Sequence, residues 1–199
     1  TLSFNSDGVY VVESNKSYCW QVFFSICELP PEERESNIIF GGVWYSAHMK
    51  PPMNVFLDPL VNDLKNCYHK GVSWRNPETA GEVKSRVVVP LAVGDAPCRA
   101  DLLNMVGFLG KNGCNSCEIT MKTIEKPTKK AKKKPTIYPY NEIPSRLRTK
   151  ELMHAHAERA EALKALPQNQ NPKKQKKINA KGIKGHSKLS EIPLFDISR

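Results

Sequence analysis

Residues 83–97 read V-K-S-R-V-V-V-P-L-A-V-G-D-A-P, and this stretch carries the strongest strand signal in the chain. Its second half is apolar on both faces, which is typical of a central, buried strand, whereas Pro90 predicts a bulge or irregular pairing. A helix should follow over residues 97–108, because proline is favoured in the first helical turn. Asp95 is therefore predicted to lie between this strand and the helix.

Three strands and a helix precede this stretch. Residues 2–11 alternate around an expected Ser6-Asp7-Gly8 turn, and residues 18–27 and 37–45 are rich in β-branched and aromatic side chains. Short connections between the strands predict an antiparallel meander. Apolar residues then recur at helical spacing over residues 57–68. The helix start is left open between two caps, Asn54 and Asp58.

The predicted order over residues 1–110 is β-β-β-α-β-α. Three antiparallel strands, a crossover helix and a strand parallel to the first match an α/β fold with a mixed sheet, in the ribonuclease-H-like arrangement. We therefore expect a core at residues 1–120. Residues 121–181 are expected to be a basic, partly disordered linker or insertion with one helix at 152–166, and residues 182–199 to begin another core segment.

Charge divides the chain at about the same place. Residues 1–120 carry 10 Lys/Arg and 13 Asp/Glu, whereas residues 121–199 carry 20 Lys/Arg and 7 Asp/Glu. A basic half beside a near-neutral half indicates a polyanion as a partner, most commonly nucleic acid, and a solvated tail that acts as a nuclear address is an equal alternative. The candidate nucleic-acid-binding residues are Lys129, Lys130, Lys132, Lys133, Lys134, Lys173, Lys174, Lys176 and Lys177.

Other bulk features narrow the class of protein. The sequence has no apolar run of about 18 residues, so we expect no membrane-spanning helix. Six cysteines in 199 residues do not indicate a disulfide framework. Cys19, Cys27 and Cys67 lie among apolar residues and are interpreted as small core side chains in a reducing compartment. Tyr138 and Tyr140, between prolines, favour a segment that docks on the core.

Asp7 and Asp95 are the candidate catalytic residues. If their strands are neighbours, the two carboxylates face one another at the sheet edge where functional side chains gather. Mg²⁺ or Mn²⁺ would relieve the repulsion and could support phosphodiester cleavage. The alternatives are structural, because Asp before Gly is a common turn residue and Asp95 before Ala96-Pro97 is a good helix cap.

Cys114 and Cys117 form a Cys-x-x-Cys pair, which is half of a tetrahedral zinc site. A structural turn is the main alternative, and a redox pair is less favoured because no thioredoxin-like context surrounds it. Further zinc ligands would have to come from His154, His156 or His186, or from sequence beyond Arg199.

Several segments together carry a family resemblance. They are L-S-F-N-S-D-G-V (2–9), K-P-P-M-N-V-F-L-D-P-L-V (50–61), V-P-L-A-V-G-D-A-P-C-R-A (89–100), G-C-N-S-C-E (113–118) and G-I-K-G-H-S-K-L-S-E-I-P-L-F-D-I (182–197). Their order resembles the catalytic region of CACTA/EnSpm-type transposases and of metazoan proteins with such domains. The resemblance implies a DDE/D transposase with a ribonuclease-H-like core. It makes Asp7 the first acid, Asp95 the second, and the cysteine pair part of a zinc site.

The resemblance also implies a third acid, in sequence that would follow Arg199. We therefore expect a transposase fragment that is inactive alone, whereas the intact nuclear protein cleaves and joins DNA, as a homo-oligomer. The lysine run at 126–135 departs from the family pattern. Two alternatives are a non-enzymatic nucleic-acid-binding protein and a zinc-stabilised interaction domain.

Overall fold

The computed structural model describes residues 1–12, 17–124, 135–165 and 180–198. Its secondary structure is mixed, with helices and a mixed sheet, as the sequence predicted. The chain divides into two units. The first unit combines Thr1–Arg99 with Ser187–Ile197, and the second is formed mainly by Ala100–His186.

The main sheet of the first unit has four strands in the order β3-β2-β1-β6. Strands β1 (Leu2–Val12), β2 (Ser17–Ile26) and β3 (Ile39–Ser46) pair antiparallel, so the predicted meander is confirmed. Strand β6 (Ala92–Val93) pairs parallel to β1, as the predicted crossover requires.

Strand β1 continues straight through Ser6-Asp7-Gly8, so the predicted turn at this tripeptide is wrong. The reason is Trp20 on β2, which lies directly opposite Gly8. A Cβ atom at Gly8 would approach ring carbon Cε3 of Trp20 to 2.2 Å, so only glycine accommodates the indole here. The buried indole donates a hydrogen bond from Nε1 to Ser6 Oγ at 2.8 Å, which fixes the ring.

One helix lies on each side of β3 in the chain. Helix α1 (Pro31–Arg34) is one short turn between β2 and β3. Helix α2 (Met53–His69) begins after Pro52, earlier than either cap that the sequence suggested, and it contains Pro59. Its apolar side packs into the core formed with one face of the sheet; the buried residues are Leu57, Val61 and Leu64 from the helix and Phe4, Val22 and Phe24 from the sheet.

The single strand predicted over residues 83–93 is divided into two parts. Strands β4 (Val72–Arg75) and β5 (Glu82–Ser85) form a separate antiparallel hairpin, which the sequence analysis did not foresee. The segment around Pro90 is irregular, as predicted, and only Ala92–Val93 joins the sheet. Within the described residues β6 is an edge strand rather than a central one, and Val93 is exposed.

The segment Ser187–Ile197 belongs to the first unit, although it lies far from the rest of that unit in sequence. A 3₁₀ helix (Lys188–Glu191) lies on α2, and Lys188 Nζ contacts Asp58 and Glu191 carboxylate oxygens, each at 2.7 Å. Hydrogen bonds to these two carboxylates raise the pKa of Lys188. Further along, the amide of Asp196 donates to the carbonyl of Pro90 at 3.1 Å.

The second unit contains few regular elements. Helix α3 (Ala96–Leu102), which the division between the units interrupts, ends six residues earlier than predicted; the positive φ of 51° at Asn104 is incompatible with a continuing helix. Strands β7 (Lys122–Thr123) and β8 (Thr136–Ile137) pair with each other. Helix α4 (Lys150–Ala165) confirms the predicted helix over the part that is described.

Two bulk expectations have different outcomes. None of the helices in the described residues has the length and apolar character that a bilayer crossing requires. The prediction that Cys19, Cys27 and Cys67 are core side chains is not confirmed, because all three are partly exposed. Cys98, in contrast, is buried.

Candidate functional site

Asp7 and Asp95 both follow the pairing between β1 and β6. Phe4 pairs with Ala92 and Asn5 with Val93; Asp7 lies two residues further along β1, and Asp95 lies two residues beyond the end of β6, directly before α3. Adjacent strands lie about 4.8 Å apart, and side chains alternate between the faces. Asp7 is therefore on the face opposite the buried side chains of Phe4 and Ser6. The assignment of the two aspartates as a pair that binds a metal stays a prediction.

Both aspartates line one open cavity of about 300 Å³. The cavity lies on the outer face of the sheet, and both carboxylates are exposed to solvent. Its lining combines polar side chains with two apolar ones: Asn5, Ser6, Asp7, Gln21, Phe23, Val93, Gly94 and Asp95. The site therefore offers two carboxylates in a concave surface that a small ion or a phosphate backbone can reach.

Each aspartate accepts a backbone hydrogen bond. The Gly8 amide donates to Asp7 Oδ1 at 2.7 Å, and the Cys98 amide donates to Asp95 Oδ1 at 2.7 Å. The second bond is that of an N-cap, so Asp95 does cap α3, as the structural alternative predicted. Capping and metal binding are compatible, because a carboxylate has several lone pairs and the cap fixes its orientation.

A contact between α3 and β1 beside the aspartates was not predicted from the sequence. Buried Cys98 donates from Sγ to the carbonyl of Ser6 at 3.1 Å. A Cβ atom at Gly94 would lie 3.0 Å from that sulfur, so the glycine allows the first turn of α3 to approach β1. The signal is present in G-D-A-P-C, where a glycine precedes the cap and a small apolar residue occupies the third helical position.

The cysteine pair lies in the second unit and is organised by an arginine. The Sγ atoms of Cys114 and Cys117 are 3.5 Å apart. Arg148 is only 4% exposed and donates from Nε to the carbonyl of Cys114 at 2.9 Å. Its Nη2 atom donates to the carbonyls of Asn112 at 3.1 Å and Lys181 at 2.8 Å. One buried guanidinium thus binds three backbone carbonyls, at positions 112, 114 and 181, around the pair.

The two thiols differ in acidity. Burial alone would raise the pKa of Cys114, but hydrogen bonds from the Cys117 and Ser116 amides and from the Cys117 thiol outweigh it and lower the pKa. Burial raises the pKa of Cys117, and the neighbouring Cys114 raises it further. Cys114 is therefore the thiol that loses its proton first.

The histidines considered as further zinc ligands have other partners. His156 is buried, and its Nε2 atom lies 2.6 Å from Glu118 Oε1. The rings of His154 and His186 lie 5.5 Å apart, and His186 Nε2 is 3.8 Å from Glu161. Among the described residues, no three His, Cys, Asp or Glu side chains converge as metal ligands. The zinc half-site at Cys114 and Cys117 therefore stays a prediction.

The predicted nucleic-acid-binding lysines, at 129–134 and 173–177, lie outside the described residues. The docking prediction for the tyrosines is confirmed for Tyr138, whose hydroxyl donates to the carbonyl of Phe108 at 2.7 Å. It is wrong for Tyr140, which is 93% exposed.

Comparison with known families decides the class of protein. The model of the transposase family tnp2 matches residues 1–176, which include both aspartates and the cysteine pair. The chain belongs to the transposase family tnp2. A transposase domain acts on DNA, so membership supports DNA as the partner and a transposase-like function. No curated protein and no solved structure matches the chain.

Proposed function

We propose that Asp7 and Asp95 are the first two acids of a DDE/D transposase site of the CACTA/EnSpm type, in a ribonuclease-H-like core. They would bind Mg²⁺ or Mn²⁺, and the intact protein would cleave and join DNA at transposon ends. The single observation that supports this proposal is that Asp7 and Asp95 line one cavity next to the parallel pairing of β1 with β6.

The chemistry of the two residues fits a hard divalent cation. Two carboxylates on neighbouring strands repel each other, and a bound cation removes that cost. Mg²⁺ prefers oxygen ligands and keeps several waters, and the cavity of about 300 Å³ has room for a hydrated ion. When bound, the ion would activate water and stabilise the leaving oxygen in phosphodiester cleavage.

The role of the chain is to position these oxygens. The Cys98 amide fixes the Asp95 carboxylate, and the Gly8 amide fixes that of Asp7. The contact from Cys98 Sγ to the Ser6 carbonyl holds the start of α3 against β1, so the spacing of the pair is set by buried structure. The proposal assigns no third acid among residues 1–199, and it predicts metal binding with little turnover for this chain alone.

Mn²⁺ binding tests the proposal without requiring turnover. Titration followed by electron paramagnetic resonance should show saturable Mn²⁺ binding that Mg²⁺ competes for. Asp7→Asn or Asp95→Asn should each weaken this binding by about tenfold or more, since each removes a charged ligand. Asp63→Asn, which removes an exposed aspartate of α2, is the matched control. Binding that is equal in all four proteins would refute the assignment.

A second contribution to function rests on charge. Residues 121–199 have 13 more basic than acidic side chains, and we propose that the lysines at 129–134 and 173–177 bind the DNA backbone and act as a nuclear address. Replacing them with glutamine should weaken duplex binding and flatten its salt dependence. The Asp7→Asn, Asp95→Asn double variant should retain binding. Affinity that is indifferent to the lysines would remove this contribution.

A further inference from the structure

The β4–β5 hairpin stands apart from the main sheet. Its two strands pair with each other and with no other described strand. All four residues of β4 are exposed, including Trp74 at 45% and Val72 at 43%. Tryptophan is usually largely buried, so an exposed indole on a projecting hairpin indicates a binding surface.

The hairpin is held in a defined shape by its own hydrogen bonds. Trp74 Nε1 donates to Ser85 Oγ on the partner strand at 2.9 Å, which fixes the orientation of the indole. At the tip, the Asn76 amide donates to the carbonyl of Gly81 at 2.9 Å, and Arg75 Nε donates to the carbonyl of Ala80 at 3.2 Å. The indole is therefore ordered before a ligand binds, so less side-chain conformational entropy is lost on binding.

The hairpin and its flanking residues also differ in charge from the sequence that precedes them. Residues 65–86 carry five Lys/Arg and two Glu, whereas residues 1–64 carry three Lys/Arg and eight Asp/Glu. The Arg86 guanidinium lies 5.8 Å from the centre of the Tyr68 ring, at the base of the hairpin. A locally basic surface with an exposed aromatic ring, on an otherwise acidic part of the chain, is complementary to a polyanion with planar groups.

We propose that the β4–β5 hairpin binds unpaired DNA, with a base stacked on Trp74 and with the basic side chains of this region attracting the phosphates. Arg75 and Lys84 lie on the face of the hairpin opposite Trp74, so they contribute through the local positive charge. Base–aromatic stacking needs an accessible ring face and tolerates any base sequence, and duplex DNA does not offer its base faces. A concavity of about 340 Å³ lies along the hairpin, lined by Ser73, Trp74, Arg75, Ala80 and Glu82. The inference rests on the proposed function only in taking DNA as the substrate class, and it uses neither aspartate.

The test is binding of a 5′-labelled oligothymidine to the full chain, followed by tryptophan fluorescence and by anisotropy. The wild-type protein should show quenching, because a stacked base quenches the indole. Trp74→Phe should abolish most of the quenching yet keep the affinity, since phenylalanine also stacks. Trp74→Ala should weaken binding about tenfold, with a smaller effect on a blunt duplex. Trp44→Phe, which alters a partly buried tryptophan of β3, is the matched control and should behave as wild type.

The outcomes separate this inference from the proposed active site. Equal affinity of wild-type, Trp74→Phe and Trp74→Ala proteins, all folded by circular dichroism, would overturn it. Arg75→Gln with Lys84→Gln gives a second test, because this pair should reduce the salt dependence of single-strand binding. The Asp7→Asn, Asp95→Asn variant should keep full quenching. Loss of Mn²⁺ binding with intact quenching would therefore leave the hairpin assignment standing, and the reverse result would leave only the metal site.

Discussion

The aspartate pair and the cysteine pair are built in opposite ways. Asp7 and Asp95 are 88 positions apart in sequence, and the pairing of β1 with β6 together with the start of α3 brings both to one exposed cavity. Cys114 and Cys117 are neighbours in sequence, and a buried arginine from position 148 shapes the backbone around them. The first pair is displayed by regular structure, whereas the second is part of an internal hydrogen-bond network.

This difference predicts different effects of substitution in the two regions. Exposed carboxylates in a cavity carry charge that a ligand can neutralise. The polar atoms around the cysteines largely satisfy one another, although Arg148 Nη1 and His156 Nδ1 are buried without a hydrogen-bond partner in the described residues. We therefore expect substitutions in the first region to change binding and those in the second to change stability.

The largest effect on stability is expected for Arg148→Met. Removing the guanidinium leaves one buried and two partly buried carbonyls without their donor, which should cost about 3 kcal/mol of unfolding free energy. Urea denaturation measures the loss, and hydrogen exchange should show reduced protection over residues 111–121. Arg146→Met removes an exposed arginine two positions away and should be nearly neutral. Equal stability of the two variants would contradict the network.

Gly8→Ala tests the packing beneath the aspartate face. The new methyl group would clash with the Trp20 ring, so the unfolding free energy should fall by about 1–3 kcal/mol. Displacement of β1 should also weaken Mn²⁺ binding at Asp7. Gly107→Ala is the control, because a Cβ atom there has nothing within 4 Å. A stable Gly8→Ala protein with unchanged metal binding would show that Trp20 does not position the site.

A smaller effect, on the order of 1 kcal/mol, is expected from the contact between Glu118 and His156. Burial alone would raise the pKa of Glu118, but the hydrogen bond to His156 outweighs it and lowers the pKa below its usual 4.5. A carboxylate with a lowered folded-state pKa stabilises the protein above pH 4.5, and this stabilisation is lost as pH falls through the folded-state value. Denaturation of the wild-type protein between about pH 6 and pH 3 should show this loss.

Glu118→Gln isolates that contribution, because glutamine keeps an acceptor but does not titrate. The difference in stability between the two proteins should be largest near neutral pH and should shrink as the medium is acidified. A difference that does not depend on pH would show that the charge of Glu118 has no role.

The smallest effect is a difference in rate between the two thiols. Cys114 has the lowered pKa and Cys117 the raised one, and the thiolate is the reactive form. Brief alkylation with iodoacetamide near pH 8, followed by peptide mass spectrometry, should label Cys114 before Cys117. Preferential labelling of Cys117 would contradict the hydrogen-bond arrangement around the pair.

The sequence predicted the parts of the fold that follow from periodic patterns. Strand alternation and the order of elements led to the meander, the parallel crossover strand and the position of Asp95 before a helix. The misassigned Asp7-Gly8 turn had a cause that no local pattern shows, because the glycine is required by Trp20 on another strand. The single strand predicted at 83–93 was wrong in its first part, because these residues form a hairpin with Val72–Arg75 and do not join the main sheet.

The cysteine site was the least predictable. The spacing of Cys114 and Cys117 indicated a pair, but the role of Arg148 depends on contacts with backbone carbonyls at positions 112, 114 and 181. Such contacts are set by tertiary packing and leave no periodic trace in the sequence. The histidines that spacing alone offered as ligands instead contact glutamates or each other.

The central claim is that one cation binds between Asp7 and Asp95. A crystal of the chain soaked in Mn²⁺ and measured at the manganese absorption edge tests it most directly. The account predicts an anomalous peak within coordination distance, about 2.0–2.3 Å, of oxygen atoms from both carboxylates. Mn²⁺ bound elsewhere with the two carboxylates unliganded, or carboxylates directed to different sides of the sheet, would contradict it.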